Sequence, residues 1–231
     1  MEEELCVAML KDLGRTEFQT KLYELDGVVG HCEHHIANLD RYMQDQVHDP
    51  SIIFTPSSSR IRWEPFGVCL VMGSWNFPYY VTLKPLAQAI ATGNCAVLKP
   101  SEMAPESSAL MTKLVEKYLD QRFFRVIEGD VSVSIAISKH PWDLICFTGS
   151  TDKGKLVMKA AADNLVPCIL ELGGKCPLIV SENANVDYAA LKCAAFKFVN
   201  AGQTCITVDH VMVHHSVFNE FKERLLFHIK N

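Results

Sequence analysis

The sequence predicts an α/β fold, with a doubly wound parallel sheet followed by a smaller, partial α/β domain. Three observations support this prediction. From Phe66 onward, short apolar segments alternate with segments of helical period. The apolar segments are nearly continuous, which is typical of strands buried on both faces of a parallel sheet. Glycine-containing and polar motifs directly follow several of these segments, and ligands of such folds bind at the carboxyl ends of the strands.

The N-terminal part, up to about residue 46, has the period of helices. Thr16 and Gln19 have the spacing of a capping box. An apolar stripe that follows predicts a helix face turned toward the core, and it consists of Phe18, Leu22, Leu25, Val29, Cys32, Ile36, Leu39 and Met43. Pro50 and Pro56 then break the helical pattern, so the segment 50–64 is predicted to form a hairpin or an extended arm.

The alternating region supplies the elements of the predicted sheet. Strands are predicted at 68–72, 95–98, 124–127, 144–147 and 168–170. Helices are predicted near 79–91, 105–119, 130–138 and 152–163. After Gly174 the pattern predicts a strand at 178–180, a helix at 187–200, a strand at 211–213 and a helix at 217–229.

Composition excludes several classes of protein. The 22 basic and 27 acidic residues give a net charge of -5 without a basic patch, which argues against a nucleic-acid partner. No apolar run approaches the roughly 20 residues that cross a bilayer. The nine cysteines form no CxxC pair, and their odd number is typical of reduced thiols, so we expect a cytoplasmic protein.

Five motifs occur in the order and spacing of one family. They are Trp75-Asn76-Phe77-Pro78, Lys99-Pro100-Ser101-Glu102, Phe147-Thr148-Gly149-Ser150-Thr151, Glu171-Leu172-Gly173-Gly174-Lys175 and Asn200-Ala201-Gly202-Gln203-Thr204-Cys205. Together they resemble the successive signatures of the aldehyde dehydrogenase superfamily, and the Gln-Thr-Cys wording resembles the class 3 and fatty aldehyde branch. The resemblance implies a Rossmann-like cofactor domain and an oxidoreductase that converts aldehydes to carboxylic acids with NAD(P)⁺.

The resemblance also implies three catalytic residues. Cys205 is the nucleophile, which forms a thiohemiacetal and then a thioester. The Asn76 side-chain amide stabilises the oxyanion, together with the backbone N–H of Cys205. Glu171 is the base that activates water for thioester hydrolysis. A carboxylate is a poor base at neutral pH unless it is removed from water, and the apolar residues before Glu171 predict such burial.

Cofactor contacts follow from the same resemblance. No G-x-G-x-x-G motif is present, but Gly149 and Ser150 open a predicted helix, whose N-terminal N–H groups suit a pyrophosphate. The resemblance gives Ser150 a phosphate contact, and Lys99 and Glu102 contacts to the adenosine ribose. A glutamate there repels a 2′-phosphate, which favours NAD, with NADP as the alternative. The cofactor-binding residues implied are Trp75, Lys99, Glu102, Gly149, Ser150 and Gly173.

Two other readings of single motifs are weaker. The segment 149–155 is close to a phosphate-binding loop of nucleotide triphosphatases, but Leu156 stands where such a loop needs Ser or Thr for Mg²⁺. A metal site is suggested by the cluster of His31, Cys32, His34 and His35, in which His31 and His35 share a helical face. Because no second ligand cluster is nearby, we predict no metal.

The family's pattern also sets expectations about domains and partners. Residues 1–172 are predicted to form the NAD(P)-binding domain, with the arm near 50–64, and 173–231 the N-terminal part of a truncated catalytic domain. We expect the strand-end motifs and the Cys205 loop to converge on an aldehyde substrate. The family's later Glu-x-Phe-Gly-Pro motif is not among these residues, so the alternative function is a non-catalytic dinucleotide-binding or dimerisation module. Enzymes of this branch form homodimers, and a membrane-anchoring tail in a full-length form remains an open alternative.

Overall fold

A computed structural model describes every residue from Met1 to Asn231. The chain forms two compact units, Met1–Glu171 and Leu172–Asn231. The strands are β1 (Gln46–His48), β2 (Ser59–Ile61), β3 (Val68–Met72), β4 (Cys95–Lys99), β5 (Phe124–Val126), β6 (Leu144–Gly149), β7 (Cys168–Leu172), β8 (Pro177–Val180) and β9 (His210–Val213). The α-helices are α1 (Glu2–Leu13), α2 (Glu17–Thr20), α3 (Asp26–Tyr42), α4 (Tyr80–Ala91), α5 (Pro105–Tyr118), α6 (Val131–Ser138), α7 (Thr151–Ala162), α8 (Val186–Lys197) and α9 (Phe218–Lys230).

A five-stranded sheet in the order β5-β4-β3-β6-β7 forms the centre of the first unit. Strand β3 pairs in parallel with β4 and β6, so that Met72 lies opposite both Lys99 and Phe147. The sheet extends from β3 in both directions, because β4 and β5 lie on one side and β6 and β7 on the other. This arrangement confirms the predicted doubly wound α/β fold, and it places the switch point between β3 and β6, where such folds bind ligands.

Apolar packing around this sheet forms the core of the first unit. Leu98 of β4 is 1% exposed and Val71 of β3 is also buried. Helix α1 packs against α5, and Met9 and Met111 are completely enclosed between these layers. Most apolar side chains of β3 and β4 are therefore removed from water, which is the largest favourable contribution to folding.

The predicted capping box is present at the start of α2. Thr16 Oγ1 accepts from the Gln19 backbone N–H at 3.3 Å, and Gln19 Oε1 accepts from the Thr16 N–H at 3.3 Å. The helical region is not continuous, because α1 ends at Gly14, whose φ of 68° closes the helix in the left-handed region. A turn of π-helix at Lys21–Leu25 joins α2 to α3.

Most of the apolar stripe along this region is exposed, which corrects the prediction, and within the stripe Leu25 packs against the core. None of the residues of α3 is buried, and Ile36 is 78% exposed. The flanking residues Phe18 and Met43 are exposed as well. Helical periodicity identified the helix correctly but not what the apolar face contacts, since the period describes one element and not its neighbours.

The predicted arm is an antiparallel hairpin of β1 and β2, in which Gln46 lies opposite Ile61. The segment Ile52–Phe54, which its apolar sequence suggested as extended, forms a 3-10 turn between the two strands. The first unit contains an apolar cavity of about 1010 Å³. It is lined by residues of α3, α4 and the arm, among them Trp63, and by Phe66.

The second unit consists of two parallel strands and two helices. Strand β8 pairs with β9, with Leu178 opposite Val211. Helices α8 and α9 pack together, and Phe221 inserts into a small core that contains Ala190 and Cys193. Asn185 caps α8, since its side chain accepts from the Tyr188 N–H at 3.0 Å. Across the whole chain, none of the helices combines the length and the apolar character that spanning a membrane requires.

The core assignment predicts unequal effects of two leucine substitutions. Leu98→Ala removes a side chain enclosed in the sheet, so we expect it to lower the free energy of unfolding by about 2–5 kcal/mol. Leu156→Ala, at a position that is 56% exposed on α7, is the matched control and is expected to change it by less than about 0.5 kcal/mol. Urea unfolding followed by fluorescence measures both, and similar losses for the two variants would contradict the assignment.

Candidate functional site

The loop after β3 presents Asn76. Gly73 begins this loop, and no larger residue fits there because a Cβ atom would collide with the side-chain hydroxyl of Thr82. Asn76 is half-buried, and its Oδ1 accepts a hydrogen bond of 2.6 Å from the Ser74 hydroxyl. That bond holds the carbonyl side of the amide toward Ser74, which directs the N–H side, the hydrogen-bond donor, the opposite way. Trp75, between them, is also half-buried.

A buried arginine holds the same loop from behind. The guanidinium of Arg15 donates to the backbone carbonyl of Asn76 and to the Glu24 carboxylate, and it lies 4.5 Å from the centroid of the Phe77 ring. Arg15 follows α1 and Glu24 lies in the π-helical turn, so two N-terminal segments meet the loop that carries Asn76 through this group. The planar guanidinium suits several acceptors at once, whereas an ammonium group does not.

Glu24 completes this network. The residue is fully enclosed, and its Oε2 accepts from the Tyr80 backbone N–H at 2.6 Å, at the start of α4. Burial raises the pKa of Glu24 to about 7, while the Arg15 guanidinium and the Tyr80 N–H act in the opposite direction. Both carboxylate oxygens thus have hydrogen-bond donors, which a buried carboxylate requires.

Lys99 and Glu102 form an ion pair at the end of β4. The Lys99 ammonium is buried, and it donates to the Pro100 carbonyl at 2.7 Å and to Glu102 Oε2 at 3.0 Å. Partial burial alone would raise the pKa of Glu102, but the residue's own backbone N–H and Lys99 together lower it below its usual value. This edge of the sheet therefore presents a half-exposed carboxylate beside a buried cation.

The end of β6 leads directly into the N-terminus of α7. Ser150 is the N-cap residue, and its hydroxyl accepts from the Lys153 N–H at 3.4 Å. Gly149 packs closely over Phe147, since a Cβ atom at this position would lie 2.6 Å from the ring. The structure thus confirms that Gly149 and Ser150 open a helix at the carboxyl edge of the sheet. This edge fits a dinucleotide, because such an N-terminus offers backbone N–H groups to phosphate.

Glu171 lies in β7, the edge strand of the sheet, and it is exposed. The predicted burial of Glu171 is wrong for this chain, because the strand packs only partly and Ile169 is exposed as well. Gly173, which follows the strand in the second unit, is also exposed, and a Cβ atom there would meet nothing within 4 Å.

Cys205 lies in the second unit, in the turn between α8 and β9, as the sequence predicts. A strained segment precedes it, since Asn200, Ala201 and Gly202 all have positive φ angles, of 52°, 56° and 80°. Two of the three are not glycine, and such conformations persist only where the surroundings impose them. Hydrogen bonds from Asn200 Nδ2 to the Gln203 carbonyl (3.1 Å) and from Gln203 Nε2 to the Asn200 carbonyl (3.0 Å) close this loop on itself.

Exposure distinguishes Cys205 from the other eight cysteines. It is the one cysteine of the chain that is exposed, whereas the others are buried or half-buried. Burial raises the pKa of Cys69 and of Cys146 to about 11, so these thiols stay protonated at neutral pH. Cys205 is therefore the cysteine most accessible to a molecule in solution.

Two histidines of α3 contact each other. His31 Nε2 and His35 Nε2 lie 2.9 Å apart, which confirms their common helix face. No group of three or more His, Cys, Asp or Glu side chains with metal-binding geometry occurs in the chain.

Comparison with known proteins identifies the family of the chain. The sequence matches the model of the aldehyde dehydrogenase family over residues 1–231. The chain belongs to the aldehyde dehydrogenase family. Its relatives include aldehyde dehydrogenase family 3 member I1, chloroplastic, of Arabidopsis thaliana, which is 42% identical over 91% of this chain and 39% of its own length. The dimeric, NADP-preferring aldehyde dehydrogenase of Rattus norvegicus is 36% identical over 97% of this chain and 49% of its own length.

A solved structure confirms the fold. The substrate-bound state of Staphylococcus aureus AldH matches with a TM-score of 0.96 and 33% identity, over 99% of this chain and 50% of that one. This aldehyde dehydrogenase chain thus spans about half the length of the relatives that it matches. The catalytic roles of Cys205, Asn76 and Glu171 remain predictions, because these residues belong to different units.

Sequence reasoning missed Arg15 and Glu24 of this family member. Neither lies in a recognised motif, and both charges are in a segment that reads as a solvated helical region. The sequence contains one signal for Arg15. This charged residue stands between the cap residues Gly14 and Thr16, outside any helix. Sequence reasoning also missed Cys176, whose Sγ contacts the Cys205 carbonyl oxygen.

The buried pair predicts that Arg15 is far more important for stability than a surface cation. Arg15→Gln leaves Glu24 buried without its cation, so we expect a loss of about 3–5 kcal/mol in the free energy of unfolding. Lys11→Gln is the control, because it breaks the exposed Lys11–Glu106 pair (3.1 Å) and should cost at most about 1 kcal/mol. Urea unfolding measures both values, and equal losses would show that the buried pair contributes no more than the exposed one.

Proposed function

We propose that this chain carries the cofactor-binding part and the nucleophile of an enzyme that oxidises an aldehyde to a carboxylic acid with NAD(P)⁺. The observation that carries the proposal is the exposed Cys205 thiol at the end of a strained, self-bonded loop. A loop that is closed by its own hydrogen bonds and leaves one thiol at the surface suits a nucleophile, because functional side chains are commonly presented in this way.

Cys205 supplies the reactive sulfur in the proposed reaction. Its thiolate adds to the aldehyde carbon and gives a thiohemiacetal, which has an electron-rich carbon–hydrogen bond that the aldehyde itself lacks. The Asn76 amide N–H and the backbone N–H of Cys205 are proposed to stabilise the oxygen anion. The Ser74 hydrogen bond to Asn76 Oδ1 supports this role, because it fixes the amide with its donor side turned away from Ser74.

Release of the product requires water. Loss of hydride converts the thiohemiacetal to a thioester, and a water molecule that attacks this thioester must give up a proton. We propose Glu171 as the acceptor of that proton. The exposed position of Glu171 on an edge strand leaves it accessible to water, and substrate or further protein around it would supply the removal from water that a general base needs.

NAD(P)⁺, when it is bound, supplies the hydride acceptor. The Ser150 cap at the N-terminus of α7 would hold the pyrophosphate, and Trp75, Gly149 and Gly173 are proposed as further contacts. Lys99 and Glu102, which pair with each other at 3.0 Å, would hold the adenosine ribose, where the Glu102 carboxylate would accept hydrogen bonds from ribose hydroxyls. The rat relative is NADP-preferring by name, so NADP is the alternative cofactor.

A second candidate function is a dinucleotide-binding or dimerisation module without turnover. The observation that favours it is the first unit, which has its own core and the complete strand edge with Lys99, Glu102 and Ser150. The rat relative is dimeric by name, and we propose homodimer formation for this chain on that basis. We also propose a reducing compartment such as the cytoplasm, because the nucleophile must stay a free thiol.

The decisive measurement is the formation of reduced nicotinamide by this chain with a panel of aliphatic and aromatic aldehydes. We expect Cys205→Ala to abolish it, while Cys32→Ala, at a half-buried position on α3, retains the wild-type rate. Asn76→Ala should lower the rate by about 10²–10³, as for loss of one oxyanion donor. Equal rates in wild type and Cys205→Ala would refute the nucleophile, and NAD binding by calorimetry without turnover would establish the second candidate.

Cofactor preference tests the role of Glu102. Glu102→Gln removes a negative charge from the proposed ribose site. Two like unit charges 4 Å apart in water repel each other by about 1 kcal/mol, so we expect the ratio of the dissociation constants for NADP and NAD to fall by about fivefold. Glu106→Gln is the control, because it removes the same charge four residues further along the chain, at the surface of α5. An unchanged ratio in Glu102→Gln would place the adenosine ribose elsewhere.

A further inference from the structure

A second cysteine contacts the nucleophile's own backbone. Cys176 Sγ lies 3.0 Å from the carbonyl oxygen of Cys205, and both residues belong to the second unit. The Asp209 N–H donates to the Cys176 carbonyl at 3.2 Å, and Lys175 pairs with Asp209 at 3.4 Å. The segment that carries Cys176 is therefore attached to the chain four residues beyond Cys205.

The contact puts the two thiols within reach of each other. With ordinary covalent lengths on both sides of the 3.0 Å contact, the two sulfur atoms are separated by at most about 8 Å. Rotation about the two Cα–Cβ bonds and a small movement of the exposed turn then close the remaining distance. A disulfide requires Cβ atoms about 3.5–4.5 Å apart, which this turn can supply because it pairs with no strand.

Space around the pair is kept open by Gly174. A Cβ atom at Gly174 would lie 3.1 Å from Cys176 Sγ and 3.2 Å from the Cys205 carbonyl oxygen. Both distances are tighter than ordinary contact, so glycine is what allows the two cysteines to approach. Cys176 itself has a φ of 25°, in the left-handed region that a side chain rarely adopts. A local constraint therefore holds this cysteine against the Cys205 turn.

The two thiols differ in access. Cys205 is exposed, whereas Cys176 is half-buried beneath the turn. A small oxidant therefore meets Cys205 first, and Cys176 is the nearest group that can respond. An exposed reactive thiol beside a second, less exposed one is the arrangement of redox-sensitive cysteine pairs.

We propose that Cys176 and Cys205 form a disulfide when the chain meets a hydroperoxide. The inference rests on the proposed function, in which Cys205 is the reactive thiol. The Cys205 thiolate attacks one peroxide oxygen, the O–O bond breaks, and the alcohol or water leaves with the sulfur as sulfenic acid. The Cys176 thiol then attacks that sulfur, the S–O bond breaks, and water leaves. Sulfur is oxidised, the peroxide is reduced, and a dithiol reductant restores both thiols.

The test is a peptide map after exposure of the chain to hydrogen peroxide. Trypsin cleaves after Lys175, Lys192, Lys197 and Lys222, so Cys176 is the one cysteine of peptide 176–192 and Cys205 the one cysteine of peptide 198–222. We expect these two peptides joined as one species, two hydrogens lighter than their sum, and separated again by dithiothreitol. The absence of the joined species, with Cys205 oxidised to sulfinic acid instead, would overturn the proposal.

Cys176→Ser tests the protective consequence. Without a resolving thiol, sulfenic acid at Cys205 proceeds to sulfinic acid, which dithiothreitol does not reverse. We expect reductant to restore labelling of Cys205 by iodoacetamide in the wild type but not in Cys176→Ser. Cys193→Ser, in the small core of the same unit, is the control and should behave as wild type. Equal recovery in Cys176→Ser and wild type would also overturn the proposal.

Labelling without peroxide separates this inference from the proposed function. If iodoacetamide modifies Cys205 no faster than the half-buried cysteines, the nucleophile assignment fails and the disulfide fails with it. If Cys205 is labelled fastest but no joined peptide forms, the disulfide alone fails.

Discussion

The buried ion pair of Arg15 and Glu24 is the constraint on which the proposed oxyanion side of the site depends. Moving two charges out of water costs several kcal/mol for each, and only close contact with well-placed partners offsets that cost. Here the partners are the backbone of the site: Arg15 donates to the Asn76 carbonyl and Glu24 accepts from the Tyr80 N–H. The pair therefore stabilises one conformation of the loop between β3 and α4. Tyr79 adds to this, since its hydroxyl donates to the Leu5 carbonyl at 3.1 Å within the core.

The two units present their proposed functional groups by different physical means. In the first, a parallel sheet fixes the ends of β3, β4 and β6 in register, and the side chains at those ends inherit its rigidity. In the second, Cys205 lies in a turn that no strand supports, and the local geometry comes from Asn200, Ala201 and Gly202 in the left-handed region. Strain of this kind must be offset by surrounding contacts, here the reciprocal bonds of Asn200 and Gln203.

The sequence predicted the elements of the fold better than their environments. Every predicted strand of the sheet is present, because a run such as 68–72 is apolar at each position, as strands buried on both faces of a parallel sheet are, and four of its five residues are buried. The helix that begins after Ser150 was also predicted correctly, from its motif. The exposure of Ile36 and Glu171 was not, because it depends on what packs against a helix face or an edge strand. The burial of Arg15 and Glu24 was not predicted for the same reason, because a charged residue is expected to be exposed unless its partner is known.

Cofactor choice shows how far a residue type alone falls short of a site. A glutamate at the ribose position argues for NAD through repulsion of a 2′-phosphate, but in this chain Glu102 is paired with Lys99 at 3.0 Å. The ammonium partly neutralises the carboxylate, and it is itself a group that attracts phosphate. The net field at the proposed ribose site is therefore the difference of two opposed charges, and that difference depends on their burial: Lys99 is enclosed while Glu102 is half-exposed and screened by water. A glutamate in this position thus weakens phosphate binding without forbidding it, so that closely similar motifs are compatible with either cofactor.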